Sequence, residues 1–175
     1  MNEYGVVTDS GTVRLERLLP GPIERVWDYL TDPKKRGTWL APGKMELLAG
    51  GKVELKFHHA DLSAEKEIPE RFREKCAGDI PLHGVVTACD PPRLLSYTFG
   101  DAGEVTFELK PEGKDVLLVL THRRLADRET MVSVASGWHS HLAILIDTLN
   151  GKEPRPFWTT VTKMEAEYER RLPPA

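Results

Sequence analysis

Cysteine is almost missing from this chain: Cys76 and Cys89 are the only two among 175 residues, and no C-x-x-C spacing links them. A disulfide framework or a zinc knuckle is therefore not expected, and both thiols are read as reduced. Charge of one sign is lacking as well. The 24 Lys plus Arg stand against 27 Asp plus Glu, a net charge of −3, so no basic field draws a phosphate backbone and nucleic acid is not an expected partner. Long apolar runs are absent too. The longest, Val116 to Leu120 and Leu142 to Ile146, fall far short of the ~20 residues of a spanning helix, so no membrane insertion is expected. The opening Met1-Asn2-Glu3-Tyr4 lacks the charged-then-apolar pattern of a signal peptide, which makes the cytoplasm the expected compartment. What remains is 40% apolar residues, an ordinary globular composition that predicts one domain over 1–175. A chain near 150 residues buries roughly 68–70% of its unfolded surface, enough for a core that holds a cavity.

Periodicity then assigns the elements. From Gly11 to Leu19, Val13, Leu15 and Leu19 alternate with Thr12, Arg14 and Glu16, a strand with one wet face. After Pro20-Gly21-Pro22, the residues Ile23, Val26, Trp27 and Leu30 stand at helical spacing. Asp32-Pro33 starts a second, stub-like helix that ends near Gly37 and delivers Trp39 and Leu40 to the core. Lys44 to Leu48 and Lys52 to His58 read as two strands joined through Ala49-Gly50-Gly51. The charged, proline-punctuated segment 59–81 reads as an insertion over the sheet rim, with one helical candidate in Glu70 to Cys76. Strand signals return at Leu82 to Cys89, Arg93 to Phe99, Glu104 to Lys110 and Asp115 to Arg123, with connections too short for βαβ crossovers. Met131, Val134, Trp138, Leu142, Leu145 and Leu149 then fall on a narrow helical arc that Ala135, His141 and Ile146 widen. A last helix, 157–172, carries Phe157, Val161, Met164, Tyr168 and Leu172 on one face.

Along this order of elements, four motifs carry a resemblance. They are Arg17-Leu18-Leu19-Pro20-Gly21-Pro22 running into Val26-Trp27-Asp28-Tyr29-Leu30-Thr31-Asp32-Pro33, Trp39-Leu40-Ala41-Pro42-Gly43, Pro92-Arg93-Leu94-Leu95-Ser96-Tyr97, and Gly137-Trp138-His139-Ser140-His141-Leu142. Over residues 12 to 151 the chain resembles the START-like or SRPBCC superfamily, in the branch similar to the activator of Hsp90 ATPase. The resemblance implies an α+β helix-grip fold: a curved seven-stranded antiparallel sheet around the long helix, with an apolar tunnel between them. It is specific for fold and weak for function, because relatives include lipid and hormone binders, cyclase-like proteins and cochaperones. It says nothing of the insertion 59–81 or the accessory helix.

The residues themselves offer few catalytic constellations. His58 and His59 are adjacent on a strand and point to opposite faces, while His139 and His141 lie about 200° apart around a helix. Neither pair chelates one ion, no H-E-x-x-H occurs, and neither metal nor cofactor is expected. No G-x-S-x-G elbow surrounds Ser133, Ser136 or Ser140, so no catalytic residue is named. The aromatic and apolar set is richer: Trp39, Phe57, Tyr97, Phe99, Phe107 and Trp138 come from six separate elements, and with Val85, Leu142 and Leu145 they are the set from which a tunnel lining is expected. The same side chains could simply fill the core. By strand parity His83 shares a face with Val85, and by helical angle His141 sits at the edge of the gripped arc. With Tyr97 these two histidines are the candidate polar tips of a binding site.

Three functions follow as expectations. The first is non-enzymatic binding of a small hydrophobic or amphipathic molecule in the tunnel, with the insertion as a lid. The second is a chaperone partnership similar to the Hsp90 activator, though here one helix-grip domain and its accessory helix use all 175 residues. The third is a cyclase- or hydrolase-like enzyme using His83, Tyr97 or His141 as acid or base. The last helix and the open sheet's edges could also support a homodimer.

Overall fold

The computed structural model describes residues 3–76 and 80–174, and the side chains of all of these except 74–76. The expectations for the Cys76 thiol and for residues 77–79 of the insertion lie outside the described residues. Seven strands form one antiparallel sheet in the order β1-β2-β7-β6-β5-β4-β3. They are β1 (Val6–Asp9), β2 (Thr12–Pro20), β3 (Lys52–Phe57), β4 (Ile80–Asp90), β5 (Leu94–Thr98), β6 (Glu104–Glu112) and β7 (Asp115–Arg123). The helices are α1 (Ile23–Thr31), α2 (Pro33–Arg36), α3 (Glu70–Cys76), α4 (Arg128–Leu149) and α5 (Phe157–Arg171). This is the α+β helix-grip arrangement, a curved sheet around a long helix. Among the described residues no helix is long and apolar enough to cross a membrane.

Local chemistry explains the helix starts. Asp32 caps α2 by accepting from Lys35 N–H at 3.0 Å, with Pro33 behind it. Asp127 caps α4 in the same way through Thr130 N–H at 2.8 Å. The N-cap of α5, Pro156, has no side chain to offer. Its free N–H groups are taken instead by the insertion: Phe157 N–H donates to Ser63 Oγ and Thr159 N–H to Glu65. The insertion is thus docked on α5, with the Arg71–Glu165 ion pair and the Phe72–Trp158 ring contact alongside.

Seven strands were expected, yet one of the seven is a different segment. Lys44 to Leu48 is not a strand; it makes a single bridge, Met45 to Val53. Gly43, at φ +125°, packs so close to the Glu54 carbonyl that a Cβ would sit 2.0 Å from it. The chain then turns tightly from Glu46 to Gly51, and Gly50 and Gly51 take the hydrogen bonds to Val86. Leu47 and Leu48 consequently have no face to bury and stay exposed. The seventh strand is β1, which pairs with β2 through Val6↔Arg14 and Val7↔Val13.

The core lies between the sheet and α4, with α5 closing the far side of α4. That second cover explains why Ile144, off the expected arc, is as buried as Leu142 and Leu145. Buried Ser136 and Ser140 satisfy their hydroxyls on carbonyls one turn back, Val132 and Ser136. Tyr168 of α5 joins three elements. Its hydroxyl accepts from Gly5 N–H at 2.7 Å and shares a 2.8 Å hydrogen bond with His139 Nδ1 of α4. Tyr168→Phe strands a buried N–H, so it is expected to lower the unfolding free energy by about 1–3 kcal/mol; an unchanged urea midpoint would contradict this.

Candidate functional site

A cavity of about 270 Å³ opens between α4 and the sheet. From the sheet side Phe57, Ile80, Leu82 and Phe99 line it; from α4 come Ser133, Val134, Gly137, Trp138 and His141; Leu40 and His59 complete the wall. No carboxylate, ammonium or guanidinium is among these side chains. The rings form a connected wall, with Phe99 5.5 Å from Trp138 and 6.1 Å from Phe57, centroid to centroid.

Of the residues read from the sequence, Phe57, Phe99, Trp138 and His141 are in this wall. Trp39, Tyr97, Phe107, Leu142 and Leu145 are buried in the packed core and do not line the cavity. Phe107 stands edge-on to Trp138 at 5.6 Å, and Tyr97 packs on Phe107. Burial pushes the Tyr97 phenol up, against the pull of the nearby Arg36 guanidinium. Trp39 acts from behind: its carbonyl meets His141 Nδ1 at 2.8 Å, and its indole N–H donates to Tyr29 O.

His83 and Val85 require a correction, because both point away from the cavity; Val85 is 45% exposed. They do share a face, but it is the outer one. Cross-strand partners share a face, and β3 pairs Leu55 with Leu82 and Val53 with Gly84, leaving His83 opposite Glu54. Leu55 and Val53 are buried, so Leu82 and Gly84 turn inward. Gly84 has no side chain to mark that parity, and a Cβ there would meet the Thr98 carbonyl at 2.0 Å. His83, Tyr97 and His141 therefore do not converge on one point.

His59 was not read as a cavity residue. It follows Phe57 by two positions, so continuing the strand alternation one step past His58 places it on the Phe57 face. The chain turns into a short 3-10 helix at His59–Asp61, and the His59 ring stacks on Phe57 at 5.6 Å, 5.8 Å from His141 and 5.2 Å from Phe157. Its Nδ1 is buried without a hydrogen-bond partner among the described residues. Burial, with His58 adding to it, holds the His59 pKa down to about 4. Burial, then the neighbouring His59, holds His141 down to about 3, against the Trp39 carbonyl. Both rings are neutral at physiological pH. Trp138 is fixed by a third histidine: its indole N–H donates to His122 Nδ1 at 2.9 Å, while His122 Nε2 donates to Ala102 O. Among the described residues no group of three or more His, Cys, Asp and Glu is arranged to hold a metal ion.

A Bordetella parapertussis protein, encoded by gene BPP1335 and solved by solution NMR, is 46% identical over 98% of this chain and 91% of its own, with a TM-score of 0.83. CalU16 from Micromonospora echinospora shares the fold at 22% identity over 91% of this chain and 86% of its own, with a TM-score of 0.67. The Aha1 dimer from Colwellia psychrerythraea shares it at 14% identity over 79% and 95%, with a TM-score of 0.60. None of the curated proteins searched matches the chain. Residues 20–150, from the end of β2 through α4, match the family described as Activator of Hsp90 ATPase homolog 1-like protein, and the chain belongs to that family.

Proposed function

We propose that the protein binds a small apolar or amphipathic molecule in the cavity between α4 and the sheet. The observation that carries this reading is Gly137. It lies in the middle of a 22-residue helix, where glycine costs roughly 0.5–1 kcal/mol relative to alanine. It lines the cavity, and a Cβ added there would have nothing within 4 Å. A larger residue would improve the helix and fill the void, so glycine here keeps a space open beside the Trp138 ring. The apolar, aromatic and uncharged wall fits such a guest. The insertion serves as the lid, through His59 at the wall and Ser63 and Glu65 on α5.

The test is equilibrium titration with naphthalene, a neutral aromatic probe, followed by tryptophan fluorescence or calorimetry. Saturable one-to-one binding is expected. Gly137→Leu is expected to weaken it by about tenfold or more, while its thermal midpoint stays at or above that of the parent. Absence of saturable binding to the parent protein would overturn the reading.

A further inference from the structure

We infer that the cavity selects neutral hydroxylated aromatic molecules, the phenol class, and that His141 Nε2 is the atom that reads the hydroxyl. This rests on the binding reading above and goes beyond it by naming the guest's functional group.

Consider which polar atoms the wall offers. Ser133 is exposed, so its hydroxyl is wet in any case. The Trp138 N–H is committed to His122 Nδ1, and His122 is held in turn by Ala102 O. Trp138 therefore presents a guest with apolar ring surface only. His59 reaches the wall from the insertion and is only half-buried, though its Nδ1 is buried and without a hydrogen-bond partner among the described residues. His141, 6% exposed and centred in the aromatic cluster, is the inner polar group.

Its hydrogen-bonding sense is fixed by geometry. Nδ1 lies 2.8 Å from the Trp39 carbonyl, which can only accept, so Nδ1 carries the proton. A neutral ring with its proton on Nδ1 leaves Nε2 as a lone-pair acceptor. No protein donor among the described residues is bonded to that nitrogen. The cavity thus offers an acceptor at its inner end and needs a donor from the guest.

Charge narrows the choice further. With no cation among the described residues of the wall, a carboxylate guest would be buried unpaired and would face a lone pair; with no carboxylate among them, an ammonium guest would also lack a counter-ion. A neutral O–H satisfies both conditions. The ring wall of Phe57, Phe99 and Trp138 favours an aromatic body. At about 270 Å³ the cavity is just below the range of drug-sized pockets, which suits one or two fused rings.

Four probes on one ring system separate these effects: naphthalene, 2-naphthol, 2-methoxynaphthalene and 2-naphthoate. A hydrogen bond of ordinary net strength corresponds to about tenfold in affinity. The expected result is that 2-naphthol binds about tenfold tighter than naphthalene, that the methoxy analogue shows no such gain, and that 2-naphthoate binds more weakly than naphthalene. His141→Phe is expected to abolish the hydroxyl preference while retaining naphthalene, and His59→Phe to leave the preference in place. In 15N-resolved histidine spectra, Nε2 of His141 is expected to shift with 2-naphthol and not with naphthalene, a readout that does not depend on His141→Phe folding. Equal binding of naphthalene and 2-naphthol would overturn the inference and leave the binding reading standing. A preference lost in His59→Phe but kept in His141→Phe would overturn the assignment to His141. Failure of all the probes to bind would overturn the binding reading with it.

Discussion

Arg36→Ala is expected to lower the unfolding free energy by about 3–5 kcal/mol, one of the two largest effects in this protein. Arg36 ends α2 and is fully buried, at 0% exposure. Its guanidinium donates to three backbone carbonyls, those of Thr31, Ala41 and Gly43. Burial pulls its pKa down; among the described residues no carboxylate pairs with it directly, and Asp32 acts on it only as a nearby charge. Alanine would leave three buried acceptors without donors, at about 1–3 kcal/mol each, partly offset because a buried charge no longer needs desolvating. Arg36→Lys is expected to recover only part of the loss, since an ammonium is a compact point donor and lacks the planar fork that spans separated carbonyls. Urea unfolding measures both, and a midpoint for Arg36→Ala equal to the parent's would refute this account. The consequence reaches the cavity. The loop that Arg36 gathers carries Trp39, whose carbonyl sets the His141 tautomer, and Leu40, which lines the wall. Arg36→Ala protein that still folds is therefore expected to lose ligand affinity as well.

Arg36 also shows where sequence reading stops. Lys34, Lys35 and Arg36 are three cationic residues in succession, and only the first two are exposed. What buries the third is the return of residues 41–43 over it, a tertiary event with no periodic trace. Where burial repeats, the sequence speaks plainly: β2, β6 and β7 alternate, α4 and α5 show helical stripes, and Asp32-Pro33 marks a helix start that the structure contains. Where a glycine replaces a core side chain, the signal weakens. Gly84 hid the parity of β4 and sent His83 and Val85 to the wrong face. Gly43, Gly50 and Gly51 turned the apolar Lys44–Leu48 segment into a bent edge. β1 is short and largely exposed, so burial gave it no alternation to read. At the cavity, residues on or directly beside regular elements, Phe57, Phe99, Trp138 and His141, were legible. His59 and Gly137 were not, one because it follows a strand's end and the other because it has no side chain to enter a periodic pattern.

Acidification is expected to destabilise the protein by several kcal/mol between about pH 6.5 and pH 4.5, before most carboxylates protonate. Three histidines carry the effect: His59 and His139 are held down to about 4 and His141 to about 3, in each case chiefly by burial. His122 is lowered in the same direction by burial, against its bond to Ala102. The groups around them offer little to a positive charge: the carbonyls of Trp39 and Ala102 favour it at His141 and His122, and burial outweighs both. His139 faces the Tyr168 hydroxyl and the Tyr4 ring, with Arg17 and Arg155 adding positive charge. His59 and His141 face each other, Phe57, Phe157 and the donor-occupied Trp39 carbonyl, with His58 beyond. The native state therefore keeps these imidazoles neutral, while in the unfolded chain they charge below about pH 6.5. The unfolded state binds more protons throughout that interval, so stability falls as pH falls, and it is fully present above about pH 6.5. Each imidazole contributes about 1.4 kcal/mol per pH unit until its native pKa is reached. Acting together over two units, they approach the 5–15 kcal/mol that hold an ordinary domain folded. Urea midpoints at a series of pH values measure the slope directly. Folded His59→Phe is expected to reduce it by one proton's worth, and a stability that stays flat down to about pH 5 would show that these rings do charge in the folded protein.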